Sequence, residues 1–208
     1  GIRDISVRLE FRRVLFRSLA ELLDDAGIDF MLPIARWVGY GGETDFHGSV
    51  LETITWAAAL LARTERITIF ATVHTTANHP LAVAKQIATL SQVSQGRVGL
   101  NIVAGWNKPE YEALGLTLPE DHETRYGYAQ EWFDFVRRLW TESEPFDFNG
   151  RYFKTRKSYG LPHPRLPPPI FNAAGSGLGR EFALRNANFL FTPAIDLDRS
   201  KGEITELK

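Results

Sequence analysis

Residues 80–111 read PLAVAKQIATLSQVSQGRVGLNIVAGWNKPEY, and the order of features in this one stretch sets the class of fold. Pro80 suits a first helical turn, where its missing N–H costs nothing. Gly96, after Ser94 and Gln95, marks the stop of a helix over Pro80 to Val93. Arg97 to Val103 is then an apolar run without strict alternation, the pattern of a parallel strand covered on both faces. Gly105 and Trp106 follow in a turn. A helix feeding a buried strand that ends in a polar loop is the repeating unit of a parallel α/β sheet.

The unit recurs outward in both directions. Further short apolar runs lie at Ile28 to Ile34, Arg66 to Val73, Pro169 to Ala173 and Asn188 to Thr192. Helix candidates at Ser49 to Arg63, His122 to Trp140 and Gly177 to Asn186 separate them. In the first of these, Leu51, Ile54, Thr55, Ala58 and Leu61 or Ala62 fall at three- and four-residue spacing and face a sheet. Five strands in strict β/α order fit a closed (β/α)₈ barrel or an open doubly wound sheet. Two segments break the rhythm: the glycine-rich Arg36 to Gly48, and Thr141 to Pro168, rich in proline, glycine and aromatics with no helical period. Both are expected to be loops that shape a pocket.

The 208 residues are 44% hydrophobic and 12% aromatic, enough for one sizeable core. With 24 Lys plus Arg against 25 Asp plus Glu, nothing in the charge balance calls for a nucleic acid or an anionic membrane. A small, largely uncharged ligand fits better. The absence of cysteine excludes disulfides, thiolate metal sites and cysteine nucleophiles within these residues. No apolar run reaches the roughly 18 residues of a membrane-spanning helix, and cytoplasmic residence is the default expectation. The basic start, GIRDISVRLEFRRVLFRS, lacks both the unbroken apolar core and the small-residue cleavage site of a signal peptide.

Several side chains could carry chemistry. Asn101 is polar inside an apolar strand, so it needs either a neighbouring backbone partner or a ligand. Thr72 is the second polar residue at the end of a strand, where a structural role is the commoner one. His74 and His79 match no familiar metal-ligand spacing and no carboxylate accompanies them, so no metal is expected. Gly175, Ser176, Gly177 and Gly179 lie between a strand and a helix. There, free N–H groups favour a phosphate over a plain Ser176 cap. Arg125 and Tyr126 could clamp an anion, or be a surface arginine and a half-buried tyrosine. Glu110 could equally be a solvated carboxylate in the first turn of a helix.

The segments DFMLPIARWVGYGGETDF, ITIFATVHTT, GLNIVAGWNKPEYEALGL, RYGYAQEWFDFVRRLW and NAAGSGLGREFALRNANFLF resemble the luciferase-like flavin-dependent monooxygenases. The likeness is to the branch of alkanesulfonate, dimethyl-sulfone and pyrimidine monooxygenases, and it runs from about Leu19 to Thr192. It implies a (β/α)₈ TIM-type barrel that binds reduced FMN supplied by a separate flavin reductase and uses dioxygen to oxidise a small organosulfur or N-heterocyclic substrate. It also implies a homo-oligomer at full length. By that resemblance Ala35 and Arg36 lie along the flavin, and Asn101 and Glu110 contact it. Arg125, Tyr126 and Ser176 reach its ribityl-phosphate end, and Thr72 with Asn101 borders the dioxygen pocket as the catalytic pair. A deazaflavin-dependent oxidoreductase of the same superfamily and a non-catalytic flavin-binding protein are the alternatives. The first and last strands of that barrel have no match here. Residues 1–18, with five arginines, are therefore expected to be foreign to the fold, and residues 19–208 to form an incomplete barrel.

Overall fold

The computed structural model describes residues 18–175, 177–191, 201–202 and 205. The expectation for residues 1–18 falls, Ser18 apart, outside them. A helix α1 covers 18–25. There follow β1 (Phe30–Met31), α2 (Thr53–Leu61), β2 (Thr68–His74), α3 (Pro80–Val93), β3 (Val98–Val103), α4 (Lys108–Ala113) and α5 (His122–Thr141). The remaining elements are β4 (Phe146–Asn149), β5 (Lys154–Ser158), β6 (Ile170–Asn172), α6 (Gly177–Asn186) and β7 (Phe189–Leu190).

Five strands form one parallel sheet in the order β1-β2-β3-β6-β7. With helices packed on one side, the sheet is a partial (β/α)₈ barrel. Strand alternation divides its residues cleanly. Ile69, Ala71 and Val73 of β2, and Val98, Leu100 and Ile102 of β3, enter the core with Leu60, Val83, Ile87, Trp132 and Val136 from the helices. Fully burying each such side chain contributes about 1.5–3 kcal/mol. The opposite, inner face carries Phe70, Thr72 and His74 from β2, with Gly99, Asn101 and Val103 beside them on β3. Below Thr72 and Asn101 this face is aromatic. Phe70 meets Phe171 edge-on at 5.0 Å, and Phe30 and Phe189 complete the cluster. Gly99 makes this possible, because any side chain there would collide with the Phe70 ring.

The helix starts follow local chemistry. The Glu52 carboxylate accepts the N–H groups of Ile54 (3.0 Å) and Thr55 (2.7 Å), so α2 begins four residues later than the apolar spacing predicts. Helices α3 and α6 have the bounds expected from sequence. At the sheet's lower edge the Asp24 carboxylate accepts three backbone N–H groups, from Glu65, Arg66 and Ile67, and ties α1 to the start of β2.

One expectation is corrected. Residues 141–168 are not a plain loop, because β4 and β5 form an antiparallel hairpin there, outside the parallel sheet. The hairpin is anchored from α5, where the Glu131 carboxylate accepts the N–H groups of Arg151 (2.8 Å), Tyr152 (2.8 Å) and Phe153 (2.7 Å). The short helix α4 was likewise not among the periodic segments.

Candidate active site

Parallel pairing of β2 and β3 places Thr72 directly beside Asn101 on the inner face, near the C-terminal ends of both strands. In β/α barrels that end carries the chemistry. Both side chains are buried. The Thr72 hydroxyl donates its one proton to the Pro33 carbonyl at 2.6 Å. It can then only accept from Asn101, whose Nδ2 lies 3.1 Å away. That fixes the orientation of the amide and leaves Asn101 Oδ1 buried with no partner. An unsatisfied buried acceptor costs about 1–3 kcal/mol, and a ligand N–H or O–H placed against it would recover that loss. The backbone also braces the pair, for Thr53 Oγ1 donates to the Thr72 carbonyl at 2.5 Å.

The β1–α2 loop and α4 meet above this pair through Arg36 and Glu110. Glu110 sits in the first turn of α4, the position that suggests a solvated carboxylate. It is buried instead. Its Oε1 accepts the Trp37 N–H at 2.9 Å, and its Oε2 lies 3.5 Å from Arg36 Nη1. The two side chains are only 9% and 4% exposed. Arg36 Nη2 donates to the Tyr40 hydroxyl at 2.8 Å, and the guanidinium lies 4.8 Å from the centre of the Trp106 ring. Its Nε is buried without a partner. Arginine suits such a place because its planar fork serves ion pairing and ring stacking together.

The turn that presents Trp106 admits only glycine at 105. Gly105 has φ +96°, and a Cβ there would collide with the Tyr111 hydroxyl. That hydroxyl accepts from Thr76 Oγ1 at 2.8 Å and donates to the Ala104 carbonyl at 3.2 Å. Burial pushes the Tyr111 phenol pKa up, against the lowering influence of the Thr76 hydrogen bond and the Arg125 charge. The phenol therefore stays protonated and keeps its donor.

A cavity of about 210 Å³ opens among these elements, with Ala35, Arg36, Trp37, Thr53, Thr72 and His74 in its wall. Ala35, Arg36 and Thr72 are thus brought together, and Asn101 and Glu110 adjoin them through Thr72 and Arg36. His74 joins the group by alternation, two residues beyond Thr72 on the same face. Burial lowers its pKa; Glu110 acts upward and Arg36 downward. His79 is drawn elsewhere, because its Nδ1 caps α3 by accepting the Leu81 N–H at 3.2 Å. Among the described residues no three metal-ligating side chains cluster.

Arg125 and Tyr126 form a separate, neighbouring group near the start of α5. Tyr126 is half-buried and packs on Phe182 of α6, ring centres 6.0 Å apart. Arg125 is close enough for its charge to act on Tyr111. Ser176, which precedes α6, lies outside the described residues. Sequence reasoning missed Trp37 and Tyr111, whose roles are made by partners far along the chain. It weighed His74 only as a metal ligand, although its two-residue offset from Thr72 already placed it on the same face.

The parallel half-barrel, with a polar pair at its strand ends, defines a (β/α)-barrel class of fold, and comparison with known proteins assigns the family. Residues 14–208 match the luciferase-like monooxygenases, and the chain belongs to that family. It is 40% identical to a pyrimidine monooxygenase of Methylobacterium radiotolerans over 166 residues, 79% of this chain and 43% of that protein. Among solved structures it is similar to a riboflavin lyase determined with modified FMN and riboflavin, at TM-score 0.84 and 22% identity over 92% of this chain and 50% of that one. An F420-dependent secondary alcohol dehydrogenase aligns at TM-score 0.70 and 21% identity over 90% of this chain and 58% of that one. At such identities the two structures share the fold. The chain spans roughly half the length of these proteins.

Proposed function

We propose that the protein is a two-component FMN-dependent monooxygenase, receiving reduced FMN from a separate flavin reductase and oxidising a small substrate with dioxygen. The substrate class is N-heterocyclic or organosulfur, and a pyrimidine is the first to try, given the 40%-identical relative. One observation carries the reading: the Thr72–Asn101 pair, buried at adjacent strand ends with Asn101 Oδ1 left unpaired.

The residues present suit a flavin. A planar ring with N–H and C=O edges answers the orphaned Asn101 acceptor and the orphaned Arg36 donor, above the buried rings of Phe70 and Phe171. Arg125 supplies positive charge for an anionic cofactor, with Tyr126 and Ser176 as further contacts at its phosphate end, while Arg36, its charge paired with Glu110, offers hydrogen bonds. Reduced flavin, when bound, supplies the electrons that activate dioxygen. Thr72, its proton committed to Pro33, fixes the Asn101 amide so that Oδ1 stands ready to accept from a ligand N–H or O–H and orient it for reaction. Ala35, Glu110 and Arg36 form the wall that keeps the ring in place.

The test is oxygen uptake by the protein supplied with FMN, NADH and a flavin reductase, measured against loss of a pyrimidine, a sulfone or a sulfonate. Coupled consumption supports the reading. Tight binding of a deazaflavin with none of FMN would move the protein to hydride transfer, and FMN binding without uptake on any substrate would make it a non-catalytic binder.

A further inference from the structure

The N–H groups of Arg36, a residue of the cavity wall, are tethered unequally. Nη2 donates to the Tyr40 hydroxyl at 2.8 Å, an ordinary hydrogen-bond length. Nη1 reaches Glu110 Oε2 only at 3.5 Å, where the charges still attract but directional bonding has faded. Nε is buried without a partner. Tyr40 is itself held in place although it is 53% exposed. Its backbone N–H donates to the Phe46 carbonyl at 3.1 Å, and its ring stacks on that of Phe46 with centres 6.1 Å apart and planes 19° from parallel. The residues on either side of Phe46, Asp45 at φ +39° and His47 at φ +64°, adopt left-handed backbone that side chains rarely take. The Asp45 carboxylate closes the loop by accepting the Gly41 N–H at 3.1 Å.

We propose that Tyr40 is a positioning residue, its hydroxyl fixing the Arg36 guanidinium so that Nε is kept free as a hydrogen-bond donor to a ligand. Glu110 balances the charge, and Tyr40 sets the direction. A guanidinium is planar and its N–H groups form a rigid fork, so holding Nη2 also aims Nε. The Tyr40 and Trp106 rings, with centres 5.3 and 4.8 Å from the guanidinium carbon, resist its tilting. The nearest competing acceptor is Glu110 Oε2. Without the Tyr40 tether the fork turns toward that carboxylate and pairs through Nε, which takes the donor away from the ligand. Because the charge of Arg36 is already matched by Glu110, the acceptor that suits Nε is a neutral carbonyl oxygen or ring nitrogen rather than an anion. The consequence for binding rests on the reading of this cavity as a flavin site.

The first experiment needs no flavin. The guanidinium nitrogens of Arg36 are followed by nitrogen NMR, their signals identified by their loss in Arg36→Lys. In the wild-type protein Nη1 and Nη2 are expected as separate signals, since a tethered guanidinium turns slowly about its Cζ–Nε bond. In Tyr40→Phe, which keeps the ring and the backbone bond to Phe46 but lacks the hydroxyl, they are expected to merge into one averaged signal. A single averaged signal in the wild type, or two unchanged signals in Y40F, overturns the proposal. The second experiment measures FMN affinity in a double-mutant cycle of Tyr40→Phe and Arg36→Met. Y40F is expected to weaken binding roughly two- to tenfold, the scale of one net hydrogen bond, when Arg36 is present, and to have no further effect in the R36M background. Equal loss in both backgrounds, or no loss in either, overturns the proposal. Absence of FMN binding by the wild-type protein overturns the functional reading instead, and the flavin-free comparison still decides the role of Tyr40.

Discussion

Asn101 donates to Thr72 across paired positions of β3 and β2, and this single bond, 3.1 Å long, is what strands the Asn101 carbonyl oxygen without a partner. An enzyme that keeps a buried acceptor unsatisfied carries a stability loss at the place where a ligand binds. Asn101→Leu removes that acceptor with a side chain of similar volume. Unfolding in urea should show a change within about 1 kcal/mol, in either direction. Under the proposed function, oxygen-coupled turnover should fall by roughly 10²-fold, the scale of misplacing a reacting group once its orienting contact is lost. A variant as active as wild type would remove Asn101 from the chemistry.

Glu110 pairs with a buried Arg36, and breaking such a pair from one side is costly. Glu110→Ala leaves the guanidinium and the Trp37 N–H without their acceptor, and a loss of about 3–5 kcal/mol is expected. Glu110→Gln retains an acceptor for Trp37 and should lose less. Denaturant midpoints of the two variants, compared at equal slope, check the order.

Gly105 and Tyr111 should behave as one unit. Gly105→Ala forces a side chain into a left-handed conformation and against the Tyr111 hydroxyl. About 1–3 kcal/mol is expected from the backbone strain alone, and the collision adds to it. Tyr111→Phe removes the hydroxyl and its two hydrogen bonds. Thermal unfolding of the double variant should show less destabilisation than the sum of the single ones, since the collision is then partly relieved. Strict additivity would mean that the turn has rearranged.

Acid should weaken the fold in two separate windows. His74 has a depressed folded-state pKa, so the unfolded chain binds its proton first, and that part of the stability is present above about pH 6.5 and lost as pH falls through the folded value. Asp24 follows the same sign at lower pH. Burial works against its ionisation, but three backbone N–H groups and Arg66 prevail and hold its pKa below the ordinary 3.8. Its contribution is present above that range and lost below it. Melting temperature against pH should show two steps, the upper missing in His74→Gln and the lower in Asp24→Asn.

The strands and helices that were legible in sequence are those whose burial is one-dimensional. Residues 98–103 and 68–74 are apolar because helices cover one face and a barrel interior the other, and α3 announces itself by Pro80 at one end and Gly96 beyond the other. The hairpin was not legible for a physical reason. Lys154–Ser158 contains no apolar residue, and the turn that leads into it, residues 151–153, is held by Glu131, about twenty positions away, through backbone groups that leave no mark on side-chain pattern. Helix α4 is six residues long, too short to show a period. Within the site, Thr72 and Asn101 stood out as polar residues in apolar runs. The burial of Glu110 did not, because its partners Arg36 and Trp37 lie more than seventy residues upstream.

The Phe70 ring occupies the space that any side chain at position 99 would need. Substitution at 99 therefore has to wait for a smaller residue at 70, and a reduced residue at 70 opens a hole that position 99 can fill. The two sites form a single heritable locus despite their separation in the chain, and libraries meant to reshape the barrel floor should vary them as a pair.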